Sequence, residues 1–191
     1  MTDDRPQNVS SEIRYGSLAV EDDAWIREFL ARVPTGVLAL PTDGPPHVLT
    51  QLFVHDDDSD TLFFHGAQGG RAYDIVAGDE PLAASFTASE MGRVLPAEKP
   101  VNFNVEYASV VARGTLSLVD DDAEKLAALE RFMAKYAPQL TVGEDYDPIA
   151  DASVDRTAVY RFTVEAWSGK HGEKPADFPG AFGYEPAGDA E

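Results

Sequence analysis

The densest concentration of chemically useful residues is the segment Phe63-Phe64-His65-Gly66-Ala67-Gln68-Gly69-Gly70-Arg71. An apolar run ends at His65, a loop with three glycines follows, and helix-forming residues begin at Arg71. Glycines let backbone N–H groups converge, and a helix N-terminus adds positive potential, so this loop can cradle a phosphate. Arg71 adds a charge-assisted, bidentate contact. In a chain with 34 acidic and 15 basic residues, an arginine beside three glycines is the natural anion site. An ordinary strand-to-helix turn with a solvated arginine has the same local pattern, so the loop alone does not decide between the two.

Other constellations carry less. His47, His55 and His65 lack the spacing of metal ligands on a helix, and the acidic turn between the last two reads as solvated, so no metal is expected. Asp56, Asp58 and Asp60 imitate the start of a calcium loop, but the glycine at the sixth position and the glutamate at the twelfth are missing. No serine lies in a nucleophile elbow, which leaves no catalytic residue assigned. His65 reads either as a packing or ring-orienting residue or as an acid–base group.

The elements that must position the loop follow from periodicity. Asp22 or Asp23 caps a helix with Trp25, Ile26, Phe29, Leu30 and Val33 at helical spacing, and Pro34 stops it. Short strands are expected at 36–40, 47–54 and 61–65, the last two joined as a hairpin through Asp56 to Asp60. A helix over 71–77 ends at Gly78, and strand character resumes over 82–87. Residues 88–104 have no assignment. Val105 to Val119 reads as a long strand with a bulge or corner at Gly114. Asp120 to Asp122 cap a second helix, residues 138–153 form an acidic loop, and Ala158 to Trp167 close the order. Six strands with short helices between them argue for a mainly β fold, a small antiparallel barrel with appended helices. Residues 1–16 read as a flexible arm, 17–172 as the domain, and 173–191 as a poorly ordered acidic tail.

Composition narrows the function. The net charge of −19 repels nucleic acid and anionic membranes, so neither is an expected partner. No cysteine is present, which excludes disulfides, thiolate catalysis and cysteine-ligated metals. No apolar run is long enough to span a membrane, and MTDDRPQNVSSEIR lacks the basic and apolar regions of a secretory signal, so a soluble, cytoplasmic protein is expected. The carboxylates are spread along the chain rather than gathered in a tail, and only five lysines accompany ten arginines. Such a surface reads as adapted to molar salt, where repulsion is screened within about 3 Å.

The loop, taken with HVLTQLFV before it and EYASVVARGTLSLVDDDAEKLAALERFMAKY after it, resembles the pyridoxamine 5′-phosphate oxidase-like flavoproteins. The 5-nitroimidazole resistance branch is the most similar. The matching pieces are Phe64 to Ala67, Gly70-Arg71, Tyr107-Ala108-Ser109-Val110 to Gly114, and Glu124-Lys125 to Ala128-Leu129, and the resemblance spans about residues 24–170. It implies a homodimer of six-stranded antiparallel split barrels with FMN in clefts between subunits. By position, His47, Val48, Leu49, Thr50, Gln51 and Leu52 would line the isoalloxazine ring, partly through backbone groups. His65 and Gly66 would sit by the ribityl chain, and Gly70 and Arg71 at the phosphate. Trp167 and Lys170 would reach the partner's flavin. Ala72 stands where many relatives carry a second basic residue, which implies either a weaker hold on the phosphate or another cation, such as Arg93 or Lys99, in its place, and the residues that grip pyridoxal phosphate are not evident. The implied activity is an FMN-dependent oxidoreductase passing electrons from reduced nicotinamide to a small organic acceptor, nitro compounds included. A flavin-storage protein without turnover and a reductase using the deazaflavin F420 share the same pattern.

Overall fold

The computed structural model describes residues 5–78 and 80–185 of the 191. Its elements in chain order are β1 (Gln7–Asn8), β2 (Ala19–Val20), α1 (Asp23–Arg32), β3 (Thr35–Leu40), β4 (His47–Leu52), β5 (Val54–Asp56), β6 (Thr61–Ala67), α2 (Arg71–Val76), β7 (Leu82–Leu95), β8 (Asn104–Leu118), α3 (Asp122–Tyr136), α4 (Asp151–Arg156) and β9 (Thr157–Gly172). Six of the strands, β3, β4, β6, β7, β8 and β9, are those the periodicity marks. The short β1, β2 and β5 are additions.

One sheet runs in the order β4-β3-β7-β8-β9-β6-β5, antiparallel throughout, and β1 and β2 add to β9. The outermost strands of this path, β4 and β5, are consecutive in the chain, separated only by Phe53. The sheet must therefore curl until its two ends meet, which makes a barrel of it. The sequence reads 47–54 as one strand; it breaks at Phe53, where the chain leaves one sheet end for the other. A break in a buried strand strands backbone groups. Here α3 supplies the partners. Phe53 N–H donates to the Tyr136 hydroxyl at 3.0 Å, and Phe53 C=O lies 2.7 Å from that hydroxyl and accepts from Lys135 Nζ at 3.0 Å.

The barrel interior is packed by Leu38, Leu40, Phe53, Leu62, Phe64, Phe86, Val110, Leu116, Phe162 and Trp167, all nearly inaccessible. Helix α1, capped by Asp22 through a 2.9 Å bond from Ala24 N–H, closes one end with Ile26, Phe29 and Leu30. A second cluster forms on the other side of β5, β6 and β9, where α3 lays Ala128 and Phe132 on Val54, Phe63 and Val159. The alternation of Phe63 and Phe64 between the two clusters is the period-two pleat of a strand buried on both faces. Gly114 sits at a register shift between β8 and β9, and a Cβ there would come within 1.9 Å of Thr163 O, so only glycine fits the bulge.

Three further segments differ from expectation. Residues 88–95, unassigned from sequence, continue β7 and pair with β8 out to Leu95↔Asn104. Its buried positions include small Ala88 and the charged Glu106 of β8, and the register shifts between Met91 and Val94, so the segment carries no clean hydrophobic alternation to read. The arm read as flexible docks instead: Gln7 and Asn8 pair with Ala166 and Trp167, and the fully buried Ser10 Oγ accepts from Gly169 N–H at 2.9 Å. The bonds are backbone and short polar contacts, which hydropathy does not register. In the tail, Phe182 bridges to Val94, and the carbonyls of Lys174, Pro175 and Ala176 all accept from the Arg93 guanidinium. The ends of the expected arm and tail, residues 1–4 and 186–191, lie outside the described residues.

Candidate functional site

Where β6 leaves the barrel and α2 begins, a cavity of about 130 Å³ opens between β3, β4, β6, β8 and β9. Its walls are Leu38, Leu40, Leu49, Phe64, Leu116 and Tyr160, with Gln51 as a polar group, and its rim is Gly66, Ala67, Gly69 and Ala72. The glycine loop is thus the lip of an apolar cleft. Gly69 (φ 155°) and Gly70 (φ 86°) carry the chain around this lip, and φ at Gly70 is one that a side chain disfavours. A Cβ on either would meet nothing within 4 Å, so the space beside the loop is open. Among the described residues no side chain caps α2 at Gly70, and the first-turn N–H groups keep their donors free. Arg71, the first residue of α2, is exposed and enters no ion pair among the described residues. Gln68 Nε2 donates to Asp155 O at 2.5 Å and ties the loop to α4.

The pleat sorts the expected residues into two groups. Leu49, Gln51 and Gly66 face the cavity. Val48, Thr50 and Leu52 alternate to the opposite side of β4 and are exposed, and His47 is half-buried at the start of that strand. His65 is turned away from the cavity, because Phe64 and Gly66 on either side of it face inward. Its ring stands edge-on to Phe132 of α3, centroids 4.5 Å apart, and burial pushes its pKa below the ordinary value. His65 is therefore a packing residue against α3. Gly70 and Arg71 flank the lip.

Trp167 is not near the cleft's open side. It is fully buried, its indole N–H donates to Asp23 Oδ1 at 3.0 Å, and the Arg27 guanidinium lies 5.2 Å over its ring. It belongs to the core beneath α1 and cannot present its ring to a second subunit. The expected strand ended at Trp167, whereas β9 continues through it to Gly172. Lys170, on the opposite face of β9, is half-buried and available. Arg93 does not substitute for the missing basic residue: Glu106 takes it at 2.6 and 2.8 Å, holding its own carboxyl at a pKa of about 2. Lys99 is exposed beside the β7–β8 ladder. Tyr160 and Leu116, which line the cavity, were not among the expected site residues. Inward alternation marks a side chain as buried but does not tell a packed interior from a cavity wall.

A second surface lies on the outward face of the same sheet, opposite the cavity-lining side chains. The outward residues of β4, β3, β7, β8 and β9 align across the sheet as Thr50↔Val37↔Thr87↔Val111↔Ser168, flanked by Val48↔Ala39↔Ser85↔Arg113 and by Ser89↔Ser109↔Lys170. Val48 is 57% exposed and Val111 39%. These rows contain no carboxylate, in a chain of net charge −19.

The sequence matches the pyridoxamine 5′-phosphate oxidase family over residues 22–171, and the chain belongs to that family. Solved structures agree on the fold. The flavocytochrome Anf3 of Azotobacter vinelandii superposes with a TM-score of 0.74 at 24% identity, covering 89% of this chain and 78% of that one. An FAD- and heme-binding protein of Mycobacterium smegmatis gives 0.68 at 20% identity, over 82% and 74%. A Bacteroides thetaiotaomicron protein ascribed to 5-nitroimidazole antibiotic resistance gives 0.65 at 20%, over 80% and 86%. The mainly β split barrel is thus one shared with flavin-binding proteins. No curated protein sequence matches the chain. Among the described residues no helix is long and apolar enough to cross a membrane.

Proposed function

We propose that this chain is an FMN-binding oxidoreductase that works as a homodimer on a small organic acceptor. The observation that carries the reading is the coincidence of an apolar cleft with a glycine lip and an unpaired arginine at the lip's end. The apolar walls suit a flat ring system. The open amides of Gly70 to Ala72 and the Arg71 guanidinium suit a terminal phosphate. Leu49, Gln51 and Gly66 are the residues that would meet the ring and ribityl portions. Bound FMN supplies hydride acceptance and electron transfer, and the protein contributes placement and exclusion of water.

The cleft of one chain, about 130 Å³, is well below the roughly 300–1,000 Å³ of ordinary ligand pockets. We place the second copy on the outward face of the same sheet, across β4 from the cavity, where the central rows carry no carboxylate. Two chains of net charge −19 meet there with reduced repulsion, Glu165 at the β8–β9 bulge being the acid beside these rows. The dispersed acid elsewhere fits a cytoplasm rich in salt. The test is an absorbance spectrum of the purified protein followed by titration with FMN. The two-banded spectrum of an oxidised flavin and stoichiometric quenching of flavin fluorescence are expected. A single deazaflavin band, or FMN fluorescence unchanged at both low and molar salt, refutes the reading.

A further inference from the structure

The turn between β5 and β6 gathers groups that flavin binding leaves unused. His55 and Asp57 are two residues apart, and the turn brings Asp60 back to them with φ +50°. One ligand atom from each of the three lies within 4.8 Å of the others. His55 is 2% exposed at its side chain, and its Nε2 is buried without a hydrogen-bond partner among the described residues. That nitrogen points into the cluster, 3.3 Å from Asp60 Oδ1. A buried polar atom left unpaired costs free energy, so an orphan aimed at a carboxylate calls for an account.

The distance supplies one. Nitrogen and oxygen ligands at about 2.0–2.1 Å from a tetrahedral ion are separated by about 3.3 Å, the spacing of His55 Nε2 and Asp60 Oδ1. Arg27 donates to both oxygens of Asp60, at 2.8 and 2.7 Å, and fixes that carboxylate as an outer partner fixes a metal ligand. Asp57 is 76% exposed at its side chain and can turn to close the remaining distance. The adjoining pocket, about 530 Å³, is also lined by Asp56, Asp58, Arg131 and Lys135. Four carboxylates face Arg27, Arg131 and Lys135, so the site stays negative before a cation enters.

We propose that His55, Asp57 and Asp60 bind one divalent transition-metal ion of the zinc type, with its fourth position open to the pocket. One imidazole with two carboxylates selects such an ion over calcium or magnesium, which prefer all-oxygen sites. The helical spacing rule misses this site because a hairpin turn, not a helix face, brings the ligands together.

The experiment uses the protein as purified, any flavin retained, with adventitious metal removed by a chelator at one fixed salt concentration. Zn²⁺ is titrated by calorimetry, and Co²⁺ serves as a visible probe of coordination. One ion per chain is expected, with the intense bands of tetrahedral Co²⁺. Asp57→Asn, at an exposed position that the fold does not need, should weaken Zn²⁺ roughly tenfold or more. His55→Gln should also abolish the Co²⁺ bands. Asp145→Asn, on the distant acidic loop, should change nothing. Saturable binding that survives both ligand substitutions, equal weakening by the distant control, or no saturable binding overturns the proposal.

Discussion

Replacing Arg71 by alanine tests the phosphate site without disturbing the barrel. The side chain is exposed and has no ion pair among the described residues, so the ligand-free melting temperature should not move. A charge-assisted hydrogen bond contributes about 1.5–3 kcal/mol, or roughly 10- to 150-fold in affinity. Exposure and salt place Arg71 toward the lower end, so a loss of roughly 10- to 30-fold in FMN affinity is expected. Riboflavin has no phosphate and should bind the variant as it binds the unaltered protein. Fluorescence titration of both ligands at one salt concentration gives the ratio directly. An FMN-to-riboflavin ratio unchanged by the substitution removes Arg71 from the site, with Lys170 and Lys99 next to test. A fall in both affinities together with a lower melting temperature would show instead that Arg71 supports the fold.

Val111→Glu places a carboxylate at the centre of the carboxylate-free rows of the outward sheet face and should convert a dimer to a monomer in light scattering; an unaltered protein that is monomeric at every concentration refutes the homodimer. Trp167→Phe removes the bond to Asp23 and should cost about 1–3 kcal/mol of stability while leaving FMN affinity intact, the opposite of a flavin-contacting residue. Burial lowers Lys135 from 10.5 to about 8, so the unfolded chain binds more protons between those values and stability should rise with pH from about 8 to 10, a slope that Lys135→Met abolishes. Dialysis from molar to millimolar salt should lower the melting temperature through self-repulsion; indifference to salt between roughly 0.05 and 2 M contradicts adaptation to a saline cytoplasm.

Much of the fold was legible because its signals are local. Helix α1 carries its apolar stripe and its Asp22 cap in adjacent residues, and β8 shows an unbroken alternation from Val105 to Leu118 with one glycine where the bulge falls. The glycine loop and Arg71 were legible for the same reason: a turn with positive φ and a helix start are written in consecutive residues. What tertiary structure decided is which face each residue shows and what waits there. His65 and Gly66 are neighbours in sequence, yet the pleat sends one to Phe132 and the other to the cleft. Trp167 reads as a terminal aromatic free to reach a ligand, until the docked segment 7–20 and Asp23 enclose it in the core. His55, Asp57 and Asp60 carry no recognised spacing, and only the hairpin and the bidentate grip of Arg27 make them a cluster. Sequence periodicity reports whether a side chain is buried. The partner it is buried against comes from residues distant in the chain, and only the closed barrel brings them together.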